Sequence, residues 1–477
     1  MAEQYIIGID GGSQSTKVII FDTHGNVVAE GSEPLKPMLL PEEGVVLHPD
    51  DDLWDSLIMA SKKALAAFPG KLSEIIGVGL CTIRCCRVLL KEDCTLAYPA
   101  ISWMDLRLAS PYQPDIPGVK YVTTTSGYIT HRLTGEKKDT AANYEGEWPL
   151  DRSTWDWSED PAVMKHYNIP REMLFDLVNP GTIVGRITRA AAEATGLPEG
   201  LPVAATANDK AVEALGTGSL EGNVALVSLG TYITSMIQGY DYISDAKYFW
   251  TNLASIPHRF IYESGGIRRG MSTVSWAREL MGGDVVSEAA KRGLTPDDYL
   301  NEMAADIPAG CEGLMTVPEW LAPPSAQYKR GIILGFTGRH TGVHMYRSVM
   351  EAIALTMKNH CFKMCEERGK KLEKIIISGG GSNGRLFMQI FADVFGLPAH
   401  RNLVNGSVGL GSAICLAMGL GLYPDFESAM KVMIRPRDSF QPNEANTKFY
   451  DRMNEEVYKD ITSSTDEILK KAHPVFA

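Results

Sequence analysis

The chain of 477 residues contains no apolar run long enough to cross a membrane, which takes about 18 residues. It has no low-complexity tract and no block of Lys or Arg. With a net charge of −12 and its cations dispersed, it lacks the basic stripe of a nucleic-acid binder. A polyanion could be held only through local hydrogen-bond donors or a metal. Cysteine is sparse: eight in the whole chain, and no CxxC pair. This excludes a disulfide framework and points to a reducing, cytoplasmic setting. The first residues carry no basic segment, and Asp10 interrupts their apolar stretch, so no signal peptide is expected. His360, Cys361 and Cys365 stand at metal-like spacing. They lie in a long helical pattern, however, where core packing is the expectation.

What is present is an ordinary globular composition, 44% hydrophobic and 22% charged. The length calls for two or three domains. "KVIIFD" at 17–22 is β-branched and aromatic with no helical period, so it reads as a strand. The turn "THGN" and a further strand, "VVAEGS", follow it. The opening is therefore a meander, with "DGGSQSTK" (10–17) as its first hairpin turn. A second strand–turn–strand, "VALVSLGTYITSMI", comes roughly 220 residues later, which implies an internal duplication. The domain boundary is expected near 238–245. Helices are expected over 343–367, after "SNGR", over 407–422 and over 443–471, with "KIIISGGG" as a buried strand. Alternating strands and helices imply an α/β architecture.

Several stretches can carry chemistry. The first hairpin is neither G-x-x-x-x-G-K-[ST] nor G-x-G-x-x-G. Main-chain N–H groups of Gly11, Gly12 and Ser13 could still form an anion nest. Ser13, Ser15 and Thr16 add hydroxyls, and Lys17 adds a charge. A plain glycine turn is the equal alternative. Asp10 beside a triphosphate requires a divalent cation between them, which is best met by Mg2+. Ser228 to Thr231 is a β-turn by itself and gains meaning from its likeness to the first hairpin. "SGGGSNGR" (378–385) lies between a strand and a helix, where glycines permit close approach to a nucleotide. Asp209 is either a helix N-cap or a general base for an attacking hydroxyl. Trp103, Asp105 and Arg107 would share one face of a strand and suit a polyol. Arg84, a charge within an apolar stretch, needs a partner or a ligand.

Taken in order, "GIDGGSQSTK", "ANDKAVEALGTG", "SLGT", "SGGGSNGRLFMQIFADVFGLP" and "GLGSAICLAMGLGLY" resemble the FGGY family of carbohydrate kinases over about residues 5–460. The resemblance implies an α/β fold of two actin-like ATPase (ribonuclease H-like) domains flanking a deep cleft, here 1–238 and 239–477. It implies ATP and Mg2+ as cofactors, with Asp10 on the metal side. Gly11, Gly12, Ser13, Thr16 and Lys17 match the first phosphate hairpin, and Gly230 and Thr231 the second. Gly380, Gly381 and Asn383 match the adenosine loop. Asp209 matches the catalytic base, and Arg84, Trp103 and Asp105 match sugar contacts. Lys210 stands where the family has Gln, and its cation points to an acidic acceptor. Cys85 replaces the Glu of glycerol kinases and the His of xylulokinases, so neither of those substrates is expected. About 40 residues that the family carries between Arg107 and Lys120 are missing. The expected reaction is ATP-dependent phosphorylation of a hydroxyl on a sugar, polyol or sugar acid, by a xylulokinase-like protein that a homodimer would suit. The alternatives are a nucleotide-dependent assembly protein, or an inactive relative, of the same superfold.

Overall fold

The computed structural model describes residues 3–219 and 221–476. Three antiparallel strands open it: β1 (Tyr5–Gly11), β2 (Ser15–Asp22) and β3 (Val27–Pro34). Helix α1 (Asp52–Ala67) covers them. Strand β4 (Ile75–Thr82) then pairs parallel to β1. Strands β5 (Ile183–Arg186) and β6 (Pro202–Ala205) complete a six-stranded sheet of order β5-β6-β4-β1-β2-β3. Ile6, Ile7, Ile9, Val18 and Ile20 are fully buried, so both faces of the central strands are covered.

The second sheet repeats this plan. Its strands are β7 (Val224–Leu229), β8 (Ile233–Gly239), β9 (Phe249–Leu253), β10 (Phe260–Ser264), β11 (Lys374–Ser378), β12 (Ala399–Asn402) and β13 (Pro436–Phe440). Their order is β9-β10-β8-β7-β11-β12-β13. The central strand β7 is antiparallel to β8 and parallel to β11, just as β1 is antiparallel to β2 and parallel to β4. The division expected at 238/239 cuts into the end of β8, which pairs with β7 and β10 in this second sheet. The sheet boundary therefore falls before Val224. A meander of short strands hides this in the sequence, because the hairpin begins a repeat rather than ending one.

The main helices are α2 (Asp209–Thr217), α3 (Gly342–Glu367), α4 (Arg385–Phe395) and α5 (Ser407–Gly419). Helix α3 buries Tyr346, Val349, Met350, Ile353 and Met357, the face its periodicity indicates. Helix α5 follows the second sheet's β12 in sequence, yet packs on β1 and β4 of the first. Glycine makes this contact possible. A Cβ on Gly8 would lie 1.9 Å from the Gly409 carbonyl oxygen, and one on Gly79 2.0 Å from that of Ser412. Residues 102–105 form no strand: Trp103 and Met104 are in a turn, and Asp105 caps a short 3-10 helix, Leu106–Ala109. The shared face expected for Trp103, Asp105 and Arg107 does not exist.

Candidate active site

A cleft of about 860 Å3 is walled by both halves of the chain. The β1–β2 turn enters it, closed by the Gly12 N–H donating to the Ser15 carbonyl at 3.1 Å. Asp10 and Lys17 are cross-strand partners, so carboxylate and ammonium share one face, and both line the cleft with Gly12 and Ser13. Burial pushes Asp10 up to about 6 against the pull of Lys17, and nearby Asp209 and Glu213 push the same way. Gly11 is spent in β1, paired with Thr16. Thr16 is buried, its Oγ1 2.7 Å from Ser56 Oγ on α1. Alternation along a strand turns it away from the face Lys17 occupies, so neither Gly11 nor Thr16 reaches the cleft.

The β7–β8 turn brings Gly230, Thr231 and Tyr232 to the opposite wall. The third glycine stretch divides its tasks. Gly379 has φ +86°, and a Cβ there would lie 2.4 Å from the Leu229 carbonyl oxygen, so only glycine fits. Gly380 faces the cleft with open space beside it. Gly381 is a packing residue: its Cβ would lie 2.9 Å from the Leu229 side chain. Asn383 stays outside the cleft wall, with its Oδ1 accepting from Asn405 Nδ2 at 3.2 Å. Both of these residues depart from the expected nucleotide contacts, because a 3-10 turn over 380–383 rotates successive residues away from the cleft.

Asp209 faces the cleft from the first turn of α2. The cap of that helix is Asn208, whose Oδ1 accepts the Ala211 N–H at 3.0 Å. Asp209 is thereby free: its Oδ1 has no hydrogen-bond partner, and Arg84 Nε lies 3.8 Å away. Burial raises its pKa, while the charges of Arg84 and Lys210 hold it back.

Arg84 finds its partner in the other half. Its Nη1 and Nη2 donate to Glu263 Oε2 and Oε1 at 2.6 and 2.7 Å, and Asn252 Nδ2 donates to Oε2 at 2.6 Å. Arg84 therefore stands between the free Asp209 and the second sheet. Beside it, Cys85 sits in a left-handed conformation (φ +57°). Burial pushes its thiol up to about 12, which rules out a thiolate at neutral pH.

Lys210 is not the free cation expected for an acidic acceptor. Its Nζ donates to Ser228 Oγ at 2.6 Å and to Glu213 Oε2 at 3.1 Å, and Ser228 Oγ donates to the same carboxylate oxygen at 2.8 Å. Helical i,i+3 spacing places Glu213 over it. Asp105 also leaves the substrate set. Its carboxylate is buried and accepts from Arg107 Nε and Nη2 and from the Val46 N–H at 2.8–2.9 Å. Trp103 does line the cleft. His360 Nδ1–H donates to the Gly265 carbonyl at 2.7 Å, and Cys361 and Cys365 are buried, as core packing requires.

Glu213, Glu263, Glu145 and Arg152 also wall or brace the cleft, and the sequence reading passed over them. Glu263 carries the signal that marked Arg84, a charge in an apolar strand, "RFIYES". No group of three or more His, Cys, Asp or Glu side chains forms a metal cage among the described residues. A Mg2+ held by one or two carboxylates, water and phosphate oxygens needs none, and Asp10, a cleft carboxylate next to two others, fits that role.

Two like sheets that each send a glycine turn into a common cleft are the plan of the actin-like ATPase fold. The chain belongs to the FGGY family of carbohydrate kinases: the N-terminal domain of that family matches residues 5–114 and 115–216, and its C-terminal domain matches 225–420. It is 52% identical to "Uncharacterized sugar kinase YgcE" of Escherichia coli (strain K12), over 100% of this chain and 96% of that one. It is 25% identical to "Xylulose kinase" of Lactococcus lactis, over 97% of each. In structure it is similar to a ligand-bound xylulose kinase from Lactobacillus acidophilus, with a TM-score of 0.83 at 19% identity over 98% and 99% of the chains. Membership makes it an enzyme that phosphorylates a sugar hydroxyl with ATP, and decides against the assembly-protein alternative. The N-terminal match divides at 114/115, between Arg107 and Lys120.

Proposed function

We propose that the protein transfers the γ-phosphoryl group of ATP to a hydroxyl of a sugar, polyol or sugar acid, with Asp209 as the general base. The observation that carries this reading is the unpartnered Asp209 Oδ1 in the cleft, released from capping duty by Asn208. A carboxylate so placed orients the attacking hydroxyl and accepts its proton, a contribution on the order of 10²–10⁴ in rate. Arg84 keeps Asp209 ionised and aimed. The Gly12 N–H closes the turn on the Ser15 carbonyl, while the main-chain N–H of Ser13, with Lys17, binds phosphate oxygens from one wall. Gly230 and Thr231 bind them from the other, and Gly380 leaves room for the nucleoside. Asp10 would hold Mg2+, which when bound neutralises charge on the transferring phosphate. Closure of the halves excludes water, so that the sugar is the acceptor.

We also assign two units, 3–217 with α5 and 224–476 without it, and a reducing, cytoplasmic setting in keeping with eight free cysteines. No helix among the described residues is long and apolar enough to cross a membrane. Asp209→Ala is expected to keep its ATP-induced rise in Tm and to lose at least about 10²-fold in turnover. The readouts are thermal shift and a coupled ADP assay over a panel of sugars, alditols and aldonates. Unchanged turnover in that variant removes Asp209 as the base.

A further inference from the structure

A second cavity of about 250 Å3 adjoins the cleft. Cys85, Trp103, Glu145 and Gly146 line both, so the two share a wall. Its floor holds Arg87, only 5% exposed. This guanidinium has one hydrogen bond, Nη2 to the Glu147 carbonyl at 3.3 Å, and its Nε has no partner. No carboxylate lies within the 4.0 Å of an ion pair among the described residues. The Trp148 and Tyr112 rings, 5.2 and 5.7 Å from it, fix its plane.

Arg268, from the second half, lines the same cavity and has no ion pair among the described residues; its Nη1 donates to the Ala322 carbonyl at 2.9 Å. Of the other charged walls, Arg107 and Asp105 neutralise each other. Glu145 accepts the Leu253 N–H at 3.0 Å. Glu147 gives Arg87 its main-chain carbonyl, while its carboxylate stays beyond ion-pair distance of that guanidinium. A buried guanidinium without a counter-ion is costly, and burial already pulls Arg87 down to about 10. An anion arriving with the substrate would supply what the fold leaves out.

We propose that this side cavity is the subsite for a carboxylate at the end of the acceptor remote from the reacting hydroxyl, so that the substrate is a sugar acid. This rests on the kinase reading above. The planar fork of Arg87 offers two parallel donors to a carboxylate, and Arg268 adds a charge from across the cleft. Arg84 and Arg87, three residues apart, have Cα atoms at most about 10 Å from each other. The hydroxyl end and the acid end of one short chain can thus be held by one turn of backbone. The walls from Met104 to Ala109 come shortly before the 114/115 break in the N-terminal family match.

The test uses the full chain with alditols, aldonates (tetronates, pentonates, hexonates) and the corresponding sugar phosphates. Thermal shift reads binding, and ADP release reads transfer. At least one aldonate is expected to raise Tm where its alditol does not. Arg268→Met and Arg87→Met are expected to weaken that binding by roughly ten- to hundredfold, with Arg87→Lys recovering part of it. Arg268→Met, half-exposed, keeps the test open if Arg87→Met fails to fold. Alditols binding as well as aldonates, a sugar phosphate preferred to every aldonate, or unaltered aldonate binding in Arg268→Met would each overturn the subsite. If aldonates bind but no acceptor draws ADP, the kinase reading fails and the subsite stands.

Discussion

Asn208 and Asp209 are chemically near twins with opposite tasks. One carries the helix cap, a contribution of about 1 kcal/mol in general, and the other is left without a hydrogen bond at Oδ1. Sequence alone leaves the two roles open for Asp209, since either residue can cap. A comparable economy is absent at His48. It is 1% exposed, and neither ring nitrogen has a partner. Burial holds its pKa down at about 4, against an ordinary 6.5. A histidine depressed in the folded state stabilises above its unfolded pKa and loses that contribution as pH falls through the folded one. The loss between pH 6.5 and 4 amounts to about 3 kcal/mol. Urea midpoints of the wild type are expected to fall over this window, and those of His48→Leu to fall less. Parallel curves for the two would show that His48 does not set the acid limit.

Among the elements, α2 and α5 decide where Asp209 stands. They meet backbone to backbone: a Cβ on Gly216 would lie 1.9 Å from the Ser407 carbonyl oxygen, and one on Gly411 2.2 Å from that of Val212. Gly216→Ala is expected to force the helices apart, at a cost of about 1–3 kcal/mol, and to lower kcat more than it raises KM for ATP. Gly283→Ala, with nothing within 4 Å of the added carbon, serves as the control and should match wild type in urea midpoint and kcat. Equal behaviour of the two variants would mean that the helices tolerate separation. The tail "GLGSAICLAMG" shows small residues and a helix, yet nothing local says that this helix leaves its own sheet for the other.

For the whole molecule, the halves are joined across the cleft by Arg84 with Glu263 and by Lys210 with Ser228. Glu263 is fully buried, so removing its charge leaves Arg84 only the more distant Asp209 at 3.8 Å, an effect of up to about 3–5 kcal/mol for buried pairs. Glu263→Gln is expected to open the halves, seen as a larger radius of gyration by small-angle scattering, with ATP and acceptor together restoring the wild-type value. An unchanged radius would mean that the other contacts suffice to keep the halves together. The boundary expected at 238/239 failed at this scale for a related reason: β8 is recognised as part of the second sheet only through its partners β7 and β10.

The sequence by itself determined the two meanders, the α/β alternation, the glycine turns around Asp10 and Gly230 and the family, because these depend on side-chain period and on local turn composition. Tertiary structure decided the rest. It turned Thr16 and Gly381 into packing residues, gave Lys210 to Glu213 and Ser228, closed Asp105 on Arg107, left Asp209 Oδ1 without a hydrogen bond and left Arg87 without a counter-ion among the described residues. Whether a charge is free or satisfied depends on what the opposite wall brings to it, and for Arg84 that wall, at Glu263, is 179 positions away.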